Sequence, residues 1–240
     1  MSNVPPDVIK ELAPTGTLRA SINLGNIVLA QGTPDNPRGV TVELARELGQ
    51  RLGVPVALSC FDAAGKSFES MKAGKSDIIF LEIEPVRAAE VAFSAPYVII
   101  EGVYVVPKDA KLNSPADVDR AGVRISVNKA SAYDLFLTRT IKHATIVRSE
   151  SGVDSFLKDK LDAVAGVKQP LVAFVKSNPN VRMIEPRFME IQQAMGTAKG
   201  RDAGARYLKS FVEEMKASGF VADALKRSNQ PDAAVAPPAS

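Results

Sequence analysis

Two carboxylates, Glu82 and Glu84, stand two residues apart in a segment that also carries Arg87. Two acids that share a site shielded from water repel each other, so one of them keeps its proton at a higher pH than usual. Enzymes use such pairs as general acid and base. A carboxylate at Glu84 would also repel an anion, attract an amine or a guanidine, or pair with Arg87 and neutralise it. The residues leave these alternatives open.

Other catalytic chemistry finds little support in the sequence. The one histidine, His143, lies in what we interpret as an exposed turn after a helix, and the one cysteine, Cys60, lies in a strand that we expect to be buried. One cysteine and one histidine are too few for a zinc site, and no glycine-rich phosphate loop occurs. We therefore expect no catalytic residue, no metal site and no cofactor.

The composition is that of a globular protein. The 240 residues are 45% hydrophobic, enough for one large domain or two lobes of about 100 residues each. A net charge of +3, evenly scattered, predicts no nucleic-acid partner. Apolar runs such as residues 78–81 fall far short of the roughly 20 residues that span a bilayer. We expect a protein that does not cross a membrane.

The N-terminus allows two interpretations. It has neither the basic start nor the long apolar stretch of a secretion signal. Either a signal was removed, or the protein stays in the cytoplasm. Pro5, Pro6 and Asp7, followed by Val8 and Ile9, predict a short N-terminal helix, which keeps the second interpretation open.

The elements that must position these residues form a β-α-β-α-β unit. Apolar and polar residues alternate over residues 18–23 as in a strand, and leucines recur every four residues over residues 42–52 as on one helix face. The remaining predicted elements are a strand at 54–60, a helix at 66–73 and an apolar strand at 77–81.

The same order of elements returns later in the chain. The predicted elements are a strand at 123–127, a helix at 131–141, a strand at 144–147, a helix at 152–159 and a strand at 162–166. In each unit an aspartate, Asp77 or Asp162, opens a buried strand. Two similar α/β halves predict a protein of two lobes.

Two extended apolar segments, at 102–107 and 191–197, predict strands that cross between the lobes and act as a hinge. Helices at 201–217 and 220–227 would then complete the first lobe. The first lobe is predicted to comprise residues 1–103 and 196–240, and the second residues 104–195. The tail from Gln230 onward shows no pattern and is predicted to be disordered.

Several strings in this order resemble the amino-acid-type periplasmic solute-binding proteins of ABC transporters, known as family 3. The resemblance covers about residues 16–228. Its carriers are Gly16-Thr17-Leu18-Arg19, the stretch 39–53 with Glu43-Leu44-Ala45, Gly74-Lys75-Ser76-Asp77-Ile78-Ile79, Arg87 followed by Phe93-Ser94-Ala95-Pro96-Tyr97, and Leu161-Asp162-Ala163-Val164.

The resemblance implies an α/β fold of the type II periplasmic-binding-protein class, a clamshell of two α/β lobes joined by two hinge strands. It implies capture of a small polar, carboxylate-bearing, amino-acid-like molecule by hinge closure, without catalysis. A bacterial ABC-transporter permease as partner, a periplasmic location and a monomeric state follow from the same resemblance.

The resemblance also implies ligand-binding residues. Ligands in the family lie at the carboxyl ends of the parallel strands, where helix N-termini offer unpaired N–H groups. Ser131, Ala132 and Tyr133 open a helix of the second lobe, and the Ser131 hydroxyl and the Ala132 N–H would donate to a ligand carboxylate. Ser131 as a simple N-cap is the alternative, and both roles are compatible.

Arg87 corresponds to the arginine that binds the ligand carboxylate with two parallel hydrogen bonds in the family. The alternative for Arg87 is a surface or structural ion pair.

Three places depart from the family. The loop that holds Glu82 and Glu84 is shorter than usual, and Glu84 replaces a threonine. Lys168 stands near the place of the acid that binds an α-ammonium group. If Lys168 enters the cleft, the ligand has a second anionic group, or its amino group is held from the first lobe by Glu82 or Glu84. The alternative is that Lys168 is solvated at the start of a helix. Asn23 and Asn26, in a loop without the usual aromatic residue, offer amide hydrogen bonds or form turns.

Two alternative functions stay open. A few relatives of this fold are dehydratases, but their glutamate in the second lobe has no counterpart in Val167-Lys168-Gln169. A cytoplasmic ligand sensor of the same fold is the other alternative, and it gains weight if a secretion signal never existed.

Overall fold

The computed structural model describes residues 4–239. The chain divides into two compact units: the first consists of the residues up to Ile99 together with those from Gln192 onward, and the second of residues 100–191. The boundaries expected from the sequence, after residues 103 and 195, lie four residues further along the chain in each case.

The first unit contains the first half of the helices and strands, and most of them follow the local patterns of the sequence. They are α1 (Pro6–Leu12), β1 (Leu18–Asn23), β2 (Gln31–Thr33), β3 (Asn36–Arg38), α2 (Val40–Leu52), β4 (Val56–Phe61), α3 (Ala64–Lys72), β5 (Ile78–Glu82), α4 (Pro85–Ala88) and β6 (Val91–Pro107), which continues into the second unit. The predicted N-terminal helix is confirmed as α1.

Strand β1 is the centre of the parallel sheet in the first unit. It pairs in parallel with β4 on one side and with β5 on the other. All five residues of β5 are buried, as its apolar run predicts. Helix α2 ends at Gly53, whose φ of +70° is the left-handed conformation that glycine adopts without a steric cost.

The second unit repeats this arrangement. Its elements after β6 are α5 (Pro115–Val118), β7 (Arg124–Asn128), α6 (Ala132–Thr140), β8 (Thr145–Ser149), α7 (Gly152–Lys158), β9 (Ala163–Val167), α8 (Lys168–Ser177) and β10 (Val181–Ala198), which continues into the first unit. Strand β7 is the parallel centre between β8 and β9, and β6 pairs antiparallel with β9. The predicted α/β class is confirmed.

The C-terminal segment completes the first unit with α9 (Asp202–Ala217), α10 (Phe220–Arg227) and the short strand β11 (Ala234–Val235). Strand β10 pairs antiparallel with β5, and β11 pairs antiparallel with β6. The predicted disorder of the tail is wrong up to residue 239, because β11 is held by β6 and the Ala236 N–H donates to the Tyr97 carbonyl.

An arginine–aspartate pair occurs at the same place in both units. In the first, the Nε and Nη2 of Arg19 lie 2.8 Å from the carboxylate oxygens of Asp77, and Nη1 of Arg201 lies 2.9 Å from Oδ1. In the second, Nε of Arg124 lies 3.0 Å from Oδ2 of Asp162. Asp77 is fully buried, whereas the Asp162 side chain is 38% exposed.

Cys60 is not the core thiol that we expected. Strand β4 lies at the edge of the sheet, and its residues alternate between half-buried and exposed. Cys60 is half-buried, and burial raises the pKa of its thiol. The apolar stretch that predicted a buried strand is therefore an edge strand. It is less buried because it has one neighbouring strand instead of two.

Candidate functional site

The predicted site residues gather at one edge of the sheet in each unit. In the first unit β1 and β5 are parallel neighbours, so their carboxyl ends meet at the same edge. In the second unit β7 and β9 are likewise parallel neighbours. The residues that end or follow these strands are Asn23, Asn26, Glu82, Glu84 and Arg87 in the first unit, and Ser131, Ala132, Tyr133 and Lys168 in the second.

Glu82 and Glu84 are buried at the carboxyl end of β5. Glu82 is the last residue of the strand, where it faces Gln193 of β10, and it is 4% exposed. Glu84 is 1% exposed and caps α4, because its Oε2 accepts a hydrogen bond from the Val86 N–H at 3.4 Å. Pro85 follows at the first helical position, where a missing N–H costs no hydrogen bond.

Arg87 belongs to the same buried cluster. It lies in α4 and is 1% exposed. Burial lowers the pKa of its guanidinium to about 10, and the nearby negative charge of Glu82 opposes this decrease. The group stays protonated at neutral pH. Glu82, Glu84 and Arg87, which we call the acid–arginine cluster, thus place three ionisable groups together in the first unit.

The backbone beside this cluster reaches the surface. Val86, between Glu84 and Arg87, is 60% exposed, and Ile27, in the loop after β1, is 48% exposed. The charged side chains turn inward while an apolar neighbour faces outward. This is the reverse of the ordinary preference of these residue types.

Asn23 and Asn26 form turns after β1. The Gly25 N–H donates to Oδ1 of Asn23 at 2.9 Å, and the Val28 N–H donates to Oδ1 of Asn26 at 3.2 Å. A Cβ on Gly25 would lie 2.4 Å from the carbonyl oxygen of Asp62, so only glycine lets this loop pass the end of β4. The turn-forming alternative considered for both asparagines is the one that their hydrogen bonds support.

Ser131 caps the N-terminus of α6. Its Oγ accepts a hydrogen bond from the Asp134 N–H at 3.1 Å, and the Asp134 carboxylate in turn accepts one from the Ala130 N–H at 2.8 Å. Ala132 is the first helical residue, and N–H groups of a first turn have no acceptor within the helix. Ser131 is therefore an N-cap in an arrangement that also offers backbone donors to an anion.

Asp134 and Arg148 are members of this site that the sequence did not identify. Asp134 is 3% exposed, and Nε of Arg148 lies 2.8 Å from its Oδ1. An acid beside a helix N-terminus competes with any external anion, and the guanidinium of Arg148 offsets that competition. The Ser131-x-x-Asp134 spacing is the local signal for the cap, whereas β8 brings in Arg148.

Tyr133, a predicted contact to the ligand, points into the protein and is 8% exposed. Burial raises the pKa of its phenol to about 12, and a hydrogen bond with Ser131 opposes this increase. The neutral hydroxyl is thereby tied to the same cap.

Lys168 starts α8 and forms an ion pair. Its Nζ lies 2.6 Å from Oε2 of Glu101, and Nη1 of Arg187 lies 3.0 Å from Oε1 of the same carboxylate. The hydrogen bond from Lys168 lowers the pKa of Glu101, and that bond also raises the pKa of Lys168. Glu101 and Arg187 were not predicted. The sequence held one indication of this ion-pair group, which is that Glu101 is a single acid within the apolar residues of β6.

Residues 4–239 show neither a metal-binding cluster nor a membrane-spanning helix. No group of three His, Cys, Asp or Glu side chains there is arranged so that it could hold a metal ion. Within the same residues, every helix is too short or too polar to cross a membrane.

A model of the bacterial extracellular solute-binding proteins, family 3, matches residues 28–228. Among solved structures, a mutant of ArgBP from T. maritima superposes with a TM-score of 0.76 at 24% identity, covering 92% of this chain and 99% of that chain. The solute receptor for L-cysteine of Neisseria gonorrhoeae has a TM-score of 0.78 at 22% identity, with 93% and 94% covered. None of the curated protein sequences matches.

A further solved structure is AncCDT-1, an ancestral amino acid-binding protein described as a precursor of cyclohexadienyl dehydratase. Its TM-score is 0.73 at 21% identity, with 91% of this chain and 97% of that chain covered. At these identities the superpositions show the fold, which is the predicted type II periplasmic-binding-protein fold.

Proposed function

Because the chain belongs to the bacterial extracellular solute-binding proteins of family 3, we propose that it binds a small polar solute for an ABC-transporter permease. The observation that carries the proposal is the collection of buried or half-buried polar residues at the carboxyl edge of each parallel sheet. Such edges, where loops and helix N-termini follow the strands, are the usual ligand sites of α/β proteins. The periplasm is the location that the family description suggests.

The second unit supplies the anion-binding part of the proposed site. The first-turn N–H groups of α6, beginning at Ala132, and the hydroxyl of Ser131 are donors suited to a carboxylate. Arg148 offsets the charge of Asp134 beside them. An amino-acid-like ligand with a carboxylate fits this chemistry, and the solved relatives include a receptor for L-cysteine and a protein bound to L-arginine.

The first unit supplies the acid–arginine cluster, with Asn23 and Asn26 nearby. Arg87 is the residue proposed from the family resemblance to face a carboxylate, and Glu82 and Glu84 distinguish this chain from the usual pattern. The hinge motion expected about β6 and β10, which each continue from one unit into the other, stays a prediction.

A dehydratase-like activity is a second candidate. The buried acids Glu82 and Glu84 favour it, because a pair of buried carboxylates separates in pKa and can serve as acid and base. Lys168 disfavours it, because the dehydratase relatives of this fold use a glutamate in the second lobe and Val167-Lys168-Gln169 supplies none. Incubation of the protein with a bound solute, followed by mass spectrometry, separates the two candidates: a new product supports the enzyme, and recovery of the unchanged solute supports the binding protein.

The test of binding is native mass spectrometry of the purified protein, followed by calorimetry with any small molecule that accompanies it. We expect a 1:1 complex with an amino-acid-like solute. The probes are any co-purified molecule, the twenty amino acids, the amines formed from them by loss of the carboxylate, and small carboxylates. If none of these binds, the proposed function is wrong.

A further inference from the structure

We infer that residues 230–239 form a strap that holds the first-unit end of strand β6, so that this strand bends between the units only at Ile100 and Glu101. The strap is a conformational device and contains none of the proposed ligand-binding residues. The inference goes beyond the proposed function, although the motion that the strap limits is the hinge motion that the family resemblance implies.

The strap pairs with β6 directly before this strand crosses into the second unit. The first unit ends on β6 at Ile99. Strand β11, residues 234–235, forms an antiparallel ladder with residues 98–99, and the Ala236 N–H donates to the Tyr97 carbonyl at 3.0 Å. The last three residues of β6 in the first unit are therefore held by the C-terminal segment.

The hydrogen-bond pattern of the ladder shows which strap residues hold β6. In an antiparallel ladder, facing residues alternate between pairs that exchange hydrogen bonds and pairs that do not. The hydrogen bond from Ala236 to Tyr97 places Val235 at a position whose N–H and C=O point away from β6. Ala234, one residue earlier, is then the residue that exchanges hydrogen bonds with Ile99. Adjacent strap residues thus differ in whether their backbone binds β6.

Both ends of the strap are attached to helices of the first unit. At its start, the Gln230 N–H donates to a carbonyl of α10 at 2.8 Å. Beyond β11, Nζ of Lys216 in α9 lies 2.9 Å from the carbonyl oxygen of Pro237, and the Ala239 N–H donates to the Glu213 carboxylate at 3.2 Å. The Lys216 side chain is 5% exposed, so this attachment is shielded from water. The strap therefore ties β6 to two helices of the first unit.

The second unit holds β6 on the other side of the crossing. Strand β9 pairs antiparallel with residues 102–105, and the Glu101 carboxylate accepts hydrogen bonds from Lys168 and Arg187. Strand β10, which also neighbours β6, itself crosses between the units and would bend with it. Hinges are a few residues between fixed segments that absorb the change in backbone dihedral angles. On β6, the residues between the two ladders are Ile100 and Glu101.

Proline substitutions in the strap test its hold on β6. Ala234→Pro removes the N–H that faces Ile99 and places the ring toward β6, and Ala234 is exposed, so the ring crowds no buried group. Val235→Pro is the matched control, because its N–H points away from β6. Hydrogen exchange followed by NMR should show the Ile99 amide exchanging at least about tenfold faster in Ala234→Pro and unchanged in Val235→Pro. Equal protection of Ile99 in both variants overturns the inference.

Spin labels test whether the strap limits the motion between the units. In a Cys60→Ser background, labels are attached at Gln50→Cys on α2 and Lys158→Cys on α7, which are both exposed positions. Pulsed dipolar resonance measures the distribution of distances between the labels. We expect a broader distribution in Ala234→Pro than in the protein with an unaltered strap or in Val235→Pro. Faster amide exchange without a broader distribution shows that the strap does not limit bending, and it overturns the inference.

A second variant keeps the test decisive. Circular dichroism checks that each variant is folded. If Ala234→Pro does not fold, Lys216→Met takes its place, because it releases the Pro237 carbonyl and leaves every residue of the ladder unchanged. A broader distribution in Lys216→Met supports the inference, and an unchanged one overturns it. Neither measurement uses a ligand, so failure of the proposed function would leave both results interpretable.

Discussion

Nζ of Lys168 lies 2.6 Å from Oε2 of Glu101, although 67 residues separate them in the chain. Lys168 stands where related amino-acid binders have an acid, and in isolation it suggests an extra anion site. Its partner in this protein is an internal carboxylate, which also binds Arg187. The lysine therefore belongs to an ion-pair group of the second unit.

The first prediction concerns this lysine. Replacing Lys168 by Met should reduce the affinity for an anionic ligand less than threefold, because the ammonium is already engaged by Glu101. Stability should fall by no more than about 1 kcal/mol, since the pair is only partly buried and Arg187 remains beside Glu101. Calorimetry and urea denaturation measure the two quantities. A tenfold loss of affinity would show that Lys168 contacts the ligand.

The second prediction concerns Ser131, which has two roles that different substitutions separate. Ser131→Ala removes the cap of α6 and should cost about 1 kcal/mol of folding free energy. Ser131→Asp keeps an oxygen that accepts the Asp134 N–H, so stability should stay close to that of the unaltered protein. The added negative charge should nevertheless abolish carboxylate binding.

Ser131→Thr is the matched control and should preserve both stability and binding. Denaturant titration and calorimetry on the same samples give the comparison. If Ser131→Asp binds a carboxylate ligand normally, the anion does not lie at the start of α6.

The third prediction concerns Arg87. Arg87→Met leaves Glu82 and Glu84 buried without their guanidinium, so we expect a loss of about 3–5 kcal/mol in folding free energy. Glu82→Gln in the same background should recover part of this loss, because it removes one of the buried charges. Urea denaturation of the two single variants and the double variant forms a complete cycle. Simple additivity within about 0.5 kcal/mol would contradict the coupling of the two side chains.

The fourth prediction compares the two arginine–aspartate pairs. Asp77→Asn should cost about 3–5 kcal/mol, because it leaves Arg19 and Arg201 around a buried neutral amide. Asp162→Asn should cost about 1 kcal/mol or less, since the Asp162 side chain is 38% exposed. Thermal denaturation at neutral pH provides the comparison, and equal losses would contradict it.

The contacts of Asp77 with Arg19 and Arg201 also predict that the folding stability depends on pH. Burial alone would raise the pKa of Asp77, but the hydrogen bonds from Arg19 and Arg201 lower it below its ordinary value of 3.8. A carboxyl group whose pKa is lower in the folded protein than in the unfolded chain stabilises the fold fully at pH values above its unfolded-state pKa. This stabilisation is lost as the pH falls through the folded-state pKa. The stability difference between the unaltered protein and Asp77→Asn should therefore shrink below about pH 4. A constant difference down to pH 2 would rule out this linkage.

Much of the fold could be predicted from local patterns. Strand β1 and helix α10 have the predicted bounds. Apolar residues that alternate with period two, or that recur with period 3.6, show within a few residues whether a segment is a strand or a helix. Helix α8 was not among the predicted elements, although a helix start at Lys168 was one alternative for that lysine, and Pro170 stands in its first turn, where proline is tolerated. Strand β11 has two residues and exists only through its pairing with β6, so no local pattern could indicate it.

The sequence by itself determined the α/β class, the repeated order of elements, the family and the edges at which Glu82, Arg87, Ser131 and Lys168 would gather. The class and the order of elements follow from periodicity, whereas the family and the site residues follow from the resemblance that strings of neighbouring residues carry. Only the tertiary structure decided that Lys168 pairs with Glu101 and that Glu82 lies near Arg87 in a buried cluster. Ionic partners are selected by distance and by exclusion of water, and both arise when distant strands pack.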